Sequence, residues 1–143
     1  GQQTGLWESW YEDGILASSS EFLDNQQHGT SKEYYSNSQL KREAQYSKGL
    51  LDGELKEYHQ NGKPQRVEIW LKGQKEGDAS YYHNNGKLAE QGTYLRDRKE
   101  GLWQSFWPNG EKRTEGSYLS DRESGDWNHY DQLGKLIKTE HHG

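Results

Sequence analysis

Glycine recurs in this chain at a fixed interval, and that interval limits the fold more than any other feature of the sequence. Gly5, Gly29, Gly53, Gly77, Gly101 and Gly125 stand 24 residues apart, with no insertion across six copies. Nine residues after each come Gly14, Ser38, Gly62, Gly86, Gly110 and Gly134, so two positions of one period hold eleven of the 17 glycines. Other positions keep the register. An aromatic stands five residues after each repeat glycine (Trp10, Tyr34, Tyr58, Tyr82, Phe106, Tyr130). Another stands seventeen after it (Phe22, Tyr46, Trp70, Tyr94, Tyr118), with His142 in the sixth copy. Internal periods of roughly 20 to 50 residues mark stacked repeats, each unable to bury its apolar face alone.

The repeat unit reads as a β-hairpin. Between the two ring positions lie Glu12-Asp13-Gly14, Gln60-Asn61-Gly62, Asn84-Asn85-Gly86 and Pro108-Asn109-Gly110. Asn-Gly and Asp-Gly between β-favouring residues signal a hairpin turn. Pro108 narrows the type: proline suits the second residue of a type I turn, with glycine two residues on at positive φ. A three-residue loop of this kind pairs Phe106 with Lys112 and Tyr82 with Leu88. It predicts that Tyr82, Leu88, Gly92 and Tyr94 share one face, because register sets the face of every side chain. Turns are expected at 12–14, 36–38, 60–62, 84–86, 108–110 and 132–134. A second connection joins the copies around 72–77 and 96–101. The expected fold is all-β, a single-layer antiparallel meander of six hairpins over residues 1–143 as one domain.

Composition removes several function classes. With 18 Lys and Arg against 23 Asp and Glu, the net charge is −5, and the basic surplus of a nucleic-acid binder is missing. Only 28% of residues are hydrophobic, yet the chain holds 6 Trp, 10 Tyr and 2 Phe. Disordered segments are poor in such rings, so the expected core is thin and aromatic. No apolar run approaches the roughly 20 residues of a membrane-spanning helix. Zero Cys excludes thiol chemistry and Cys-based zinc sites. The absence of Cys leans weakly towards a periplasmic or cell-envelope location over the cytoplasm, and a start without Met fits a trimmed product.

The pattern Gly-x-Trp-x-x-Tyr-x-x-Asn-Gly-x-Leu, followed by an aromatic and a second glycine, resembles the bacterial variant of the MORN repeat. Gly101-Leu102-Trp103-Gln104-Ser105-Phe106-Trp107-Pro108-Asn109-Gly110 and the stretch from Gly77 to Leu88 carry it best. Ser38, Pro64, Lys112, Ser31 and Ala79 depart from it in single copies. The resemblance implies a repeat sheet without catalysis. Some proteins of this kind are antitoxin-like or serve as immunity partners of secreted toxins, and the name of the wider family suggests membrane association.

The residues themselves show no catalytic site and call for no cofactor or metal. His59 and His83 occupy one repeat position in neighbouring hairpins, two strand spacings or roughly 9.5 Å apart. Ligand bonds near 2 Å cannot span that distance to a single metal ion. No Gly-x-Ser-x-Gly elbow or phosphate-cradling glycine loop is present. The sign-alternating runs 96–100 and 120–124 read as solvated loop tips, or as a charged row along one rim.

What remains is an interaction surface. The periodic rings at positions five and seventeen read as a core ladder. A second set, Trp7, Tyr11, Tyr35, Trp103, Trp107 and Trp127, falls on the opposite face. A single sheet has no second layer to cover it, so either the sheet curls over these rings or they form an exposed patch that binds a partner. The expected partner is a protein, a toxin or effector on the family reading. Self-association through the N-terminal edge is a further possibility, since Leu6-Trp7-Glu8-Ser9-Trp10-Tyr11 has three large rings and no lysine guard. A membrane-associated scaffold and a spacer within a longer array are the alternatives, the former weakened by the lack of a polybasic cluster.

Overall fold

The computed structural model describes residues 3–143. Among them are twelve strands and no helix, so the protein is all-β as expected. The chain forms two compact units, one ending at Gln74 and the other running Lys75–Gly143. The first holds β1 (Gly5–Trp10), β2 (Leu16–Leu23), β3 (Gln26–Tyr34), β4 (Leu40–Ser47), β5 (Leu50–Tyr58) and β6 (Pro64–Leu71). The second holds β7 (Gln74–Tyr82, from Lys75 on), β8 (Leu88–Leu95), β9 (Arg98–Phe106), β10 (Lys112–Leu119), β11 (Arg122–Tyr130) and β12 (Leu136–His142). Within each unit the strands are antiparallel and pair in chain order.

All six hairpin turns fall where the glycine period puts them. In the fifth, the Gly110 N–H donates to the Trp107 carbonyl at 2.8 Å, and the Trp107 N–H donates to the Glu111 carbonyl at 2.8 Å. Gly110 sits at φ +96°, the left-handed conformation that closes a type I turn at low steric cost. Asn109 adds a local tie, its Oδ1 accepting the Glu111 N–H at 2.9 Å. The second connections are two-residue turns: Asp24 and Asn25, and Arg96 and Asp97, all have positive φ, which defines type I′.

The register corrects one expectation. Phe106 pairs with Lys112 and Tyr82 with Leu88, as the three-residue loop requires. The next pair is Tyr81 with Glu90, so Ala89 is an extra residue in the second strand. Such a bulge flips every following side chain to the other face. Tyr82 and Leu88 therefore lie on one face, while Gly92 and Tyr94 lie on the other with Ala79 and Tyr81. The Tyr81 and Tyr94 hydroxyls meet at 3.1 Å. The rings expected to form one ladder are split between the two faces.

The buried positions follow from that split. They fall two, fifteen and seventeen residues after the repeat glycine. In the first unit they are Ser31, Ala44, Leu55 and Glu68; in the second, Ala79, Tyr94, Trp103, Gly116 and Trp127. Trp103 stands opposite Gly116, Leu55 opposite Glu68 and beside Ala44, and Ser31 opposite Ala44.

Candidate partner-binding surface

The six rings assigned to one patch have three different settings. Trp103 and Trp127 are core residues, only 1% and 5% exposed, and leave the candidate surface. The cover comes from their own neighbours. Each indole lies across a glycine of the preceding strand, Gly92 under Trp103 and Gly116 under Trp127, where any Cβ would collide with the ring. The indole N–H groups donate to the Thr93 carbonyl at 3.1 Å and the Ser117 carbonyl at 3.0 Å. Tyr94, Trp103, Tyr118 and Trp127 then meet edge to face in sequence, with centroids 5.1, 6.1 and 4.9 Å apart. The Lys99 ammonium lies 4.6 Å from the Trp103 ring and 5.1 Å from Tyr118. Burial holds the Tyr118 phenol above its ordinary pKa of 10.0, against the pull of Lys99.

Tyr11, Tyr35 and Trp107 tie hairpin to hairpin. All three stand six residues after a repeat glycine, at the mouth of the hairpin turn. The Tyr35 hydroxyl donates to the Tyr58 carbonyl at 2.7 Å, and the Trp107 N–H donates to the Tyr130 carbonyl at 3.1 Å. The Tyr11 hydroxyl donates to the Tyr34 carbonyl. His83, at the same position, places Nε2 at 2.8 Å from the Phe106 carbonyl. Two residues on, the Asn85 and Asn109 amides donate to the Pro108 and Gln132 carbonyls at 2.8 Å. The sequence carried this signal, a polar ring at one fixed position, but period alone does not say that its tip reaches the next hairpin.

The charged connection runs are also structural. The Asp97 carboxylate accepts the Lys75 N–H at 2.7 Å, and Asp121 accepts the Lys99 N–H at 2.6 Å. Each acidic residue bridges its type I′ turn to the preceding hairpin. On the same sheet, Glu115 accepts from Lys112 at 2.6 Å and from Gln104. The Lys112 ammonium first, and the Gln104 amide second, hold its carboxyl below the ordinary 4.5. Among the described residues no three His, Asp or Glu side chains converge on a metal-sized site.

Exposed rings concentrate on β1. Every residue of this strand is exposed, with Trp7 at 49% and Trp10 at 57%, flanked by Leu6 and Tyr11. The counterparts of Trp10 in the interior copies, Tyr34 and Tyr58, are half-buried. β1 pairs with β2, and its outer side meets no strand among the described residues.

Comparison with protein families places this geometry. The profile of the MORN repeat variant matches residues 3–24, 27–48, 51–70, 75–95 and 99–119, five segments in register with the hairpins. The chain belongs to the MORN repeat variant family. Repeats of this family generally act as protein- or membrane-binding modules and are typically non-catalytic. A comparison with curated proteins gives no match.

Proposed function

We propose that the chain is a non-catalytic protein-binding module whose partner docks on β1. The observation that supports this reading is the contrast along one repeat position. Trp103 and Trp127 are covered, whereas Trp7 is half exposed on one face of an edge strand, with Leu6 and Trp10 exposed on its other face. Trp and Tyr are the residue types that dominate interface energetics. Within that class we place the chain among antitoxin- or immunity-type proteins, a reading supported by the sequence resemblance. The net charge of −5 complements a basic partner.

The test starts from a partner captured on the immobilised chain, purified and titrated against it. Replacing Trp7 and Trp10 together by Ala should weaken binding more than tenfold with an unchanged urea midpoint. Leu133→Ala, at a fully exposed position of the last turn, should leave binding intact. Equal binding by the double variant overturns the β1 assignment. Sedimentation with anionic vesicles, absent from neutral ones, favours a membrane scaffold instead.

A further inference from the structure

In the unit from Lys75 to Gly143 the repeat sets a cation against its rings twice. The Lys75 ammonium lies 4.6 Å from the Tyr94 ring centroid. At the same position of the next copy, the Lys99 ammonium lies 4.6 Å from Trp103 and 5.1 Å from Tyr118. The copy after that has Glu123 there. Glu123 stands opposite Tyr118 as Lys99 stands opposite Tyr94, and it precedes Trp127 by the same interval that separates Lys99 from Trp103. A carboxylate therefore occupies the position from which a lysine reaches the indole one copy earlier. Among the described residues no lysine or arginine lies over Trp127.

A cavity of about 170 Å³ opens between these rings. Trp103, Tyr118 and Trp127 wall it, the tyrosine centroid 6.1 Å from the first indole and 4.9 Å from the second. Its polar lining includes Glu90, Thr114 and Glu123. Both carboxylates act on the Tyr118 phenol: burial raises its pKa first, Lys99 opposes, and Glu123 and Glu90 raise it further. Glu90 has the Lys99 ammonium at 3.7 Å. Glu123 meets the His142 ring at 3.6 Å and pairs with no lysine or arginine among the described residues. His129, also in the lining, places Nε2 at 2.7 Å from Glu140. The cavity thus joins aromatic walls to two carboxylates that share a single lysine.

We propose that this cavity receives the guanidinium of an arginine presented by a protein partner, held against the Trp127 and Tyr118 rings and paired with Glu123. Ring faces attract a cation through their quadrupole, and a carboxylate beside them adds charge-assisted hydrogen bonds. A guanidinium suits the site better than an ammonium. It is planar, stacks on indole, forks its N–H groups onto a carboxylate and is more weakly hydrated. The same unit already holds such a contact, with the Arg113 guanidinium 4.5 Å from the Trp107 ring centroid. The lining offers no spare cation for the α-carboxylate of free arginine, because Lys99 faces Glu90. An arginine within a peptide brings no such charge. No residue of β1 lines the cavity, so this contact is separate from the docking proposed on that strand.

The test titrates the whole isotope-labelled chain with the capped peptide acetyl-Gly-Arg-Gly-amide and follows the indole N–H resonances. A saturable shift at Trp127 is expected, with Trp7 unmoved. The matching citrulline peptide, which keeps the shape and lacks the charge, should bind about tenfold more weakly. Glu123→Gln should weaken the arginine peptide by a similar factor. Glu123→Lys, which repeats the Lys99 arrangement beside Trp127, should abolish binding with the strand amide resonances still dispersed. No saturable shift with the arginine peptide, equal binding of the citrulline peptide, or binding indifferent to Glu123→Gln overturns the proposal. The citrulline comparison needs no variant, so it decides even if a substitution unfolds the hairpin. A lysine peptide that binds as tightly as the arginine one overturns the choice of guanidinium. Free arginine binding more tightly than the capped peptide assigns the cavity to a small molecule and overturns the protein source.

Discussion

In the unit from Lys75 to Gly143 the core is a succession of rings, Tyr94, Trp103, Tyr118 and Trp127, each edge-on to the next. In the unit ending at Gln74 the matching positions hold Ser31, Leu55, Tyr46 and Trp70, and a charged network runs beside them. Arg42 lies 3.7 Å from Glu57, Arg66 lies 2.6 Å from Glu57 and 3.7 Å from Glu68, and the Trp70 N–H donates to Glu68 at 3.2 Å. The turns and pairing registers are the same in both. The turns therefore set the backbone, and the backbone accepts either filling. A buried Trp beside Gly and a Ser beside Ala fit one strand spacing.

The two fillings differ in strength. A large ring buries about 150–250 Å², an upper bound of some 4–6 kcal/mol at about 25 cal/mol per Å². Ion pairs that solvent reaches contribute typically about 0–1 kcal/mol. The second unit should carry more of the stability than the first.

The sharpest break in that comparison is Trp103→Ala against Trp7→Ala. The first should cost about 3–5 kcal/mol as a large-to-small core change, the second about 1 kcal/mol or less as a surface change. Equal shifts in urea midpoint would show that the ring core is not what stabilises its unit. Gly116→Val comes next, since its side chain runs into the Trp127 indole. Overpacking of this kind costs about 1–3 kcal/mol.

Glu68→Gln probes the first unit by its own logic. It keeps the shape and removes the buried charge that Arg66 faces, at a cost of about 1–3 kcal/mol. A neutral result would reduce the charged network to filler. Trp107→Phe keeps the ring and deletes the bond to the Tyr130 carbonyl, so thermal melts should register only about 0.5–1.5 kcal/mol.

The smallest effect is a pH dependence of the second unit. The folded-state pKa of Glu115 is lowered, so its contribution is fully present above the ordinary 4.5 and is lost as pH falls from there through the folded value. Glu115→Gln should lower stability slightly near neutrality, where the contribution is fully present, and flatten the profile below pH 4.5. An unchanged acid slope would assign the acid sensitivity to other carboxylates.

Much of the fold was legible because turns are local. Asn109-Gly110 after Pro108 specifies a loop of defined length, and four Asx-Gly signals together with the 24-residue period located six turns. The candidate surface was less legible, for one local reason and one distant one. The bulge at Ala89 leaves no mark in composition or spacing, so alternation counted through it assigns Tyr82 and Tyr94 to one face when they occupy two. The cover over Trp103 comes from Gly92, eleven residues earlier on another strand. A missing side chain there reads in the sequence as flexibility rather than as a seat for a ring.

The sequence by itself determined the 24-residue unit, the hairpin turns, the antiparallel order and the pairing of Phe106 with Lys112, because each follows from dihedral preferences within a few residues. Only the tertiary structure decided which rings are covered. Trp7 and Trp103 have the same local sequence position and the same strand geometry. Among the described residues they differ in whether a strand carrying glycine and tyrosine lies alongside. Burial belongs to the neighbour as much as to the residue, and a one-dimensional period does not contain the neighbour.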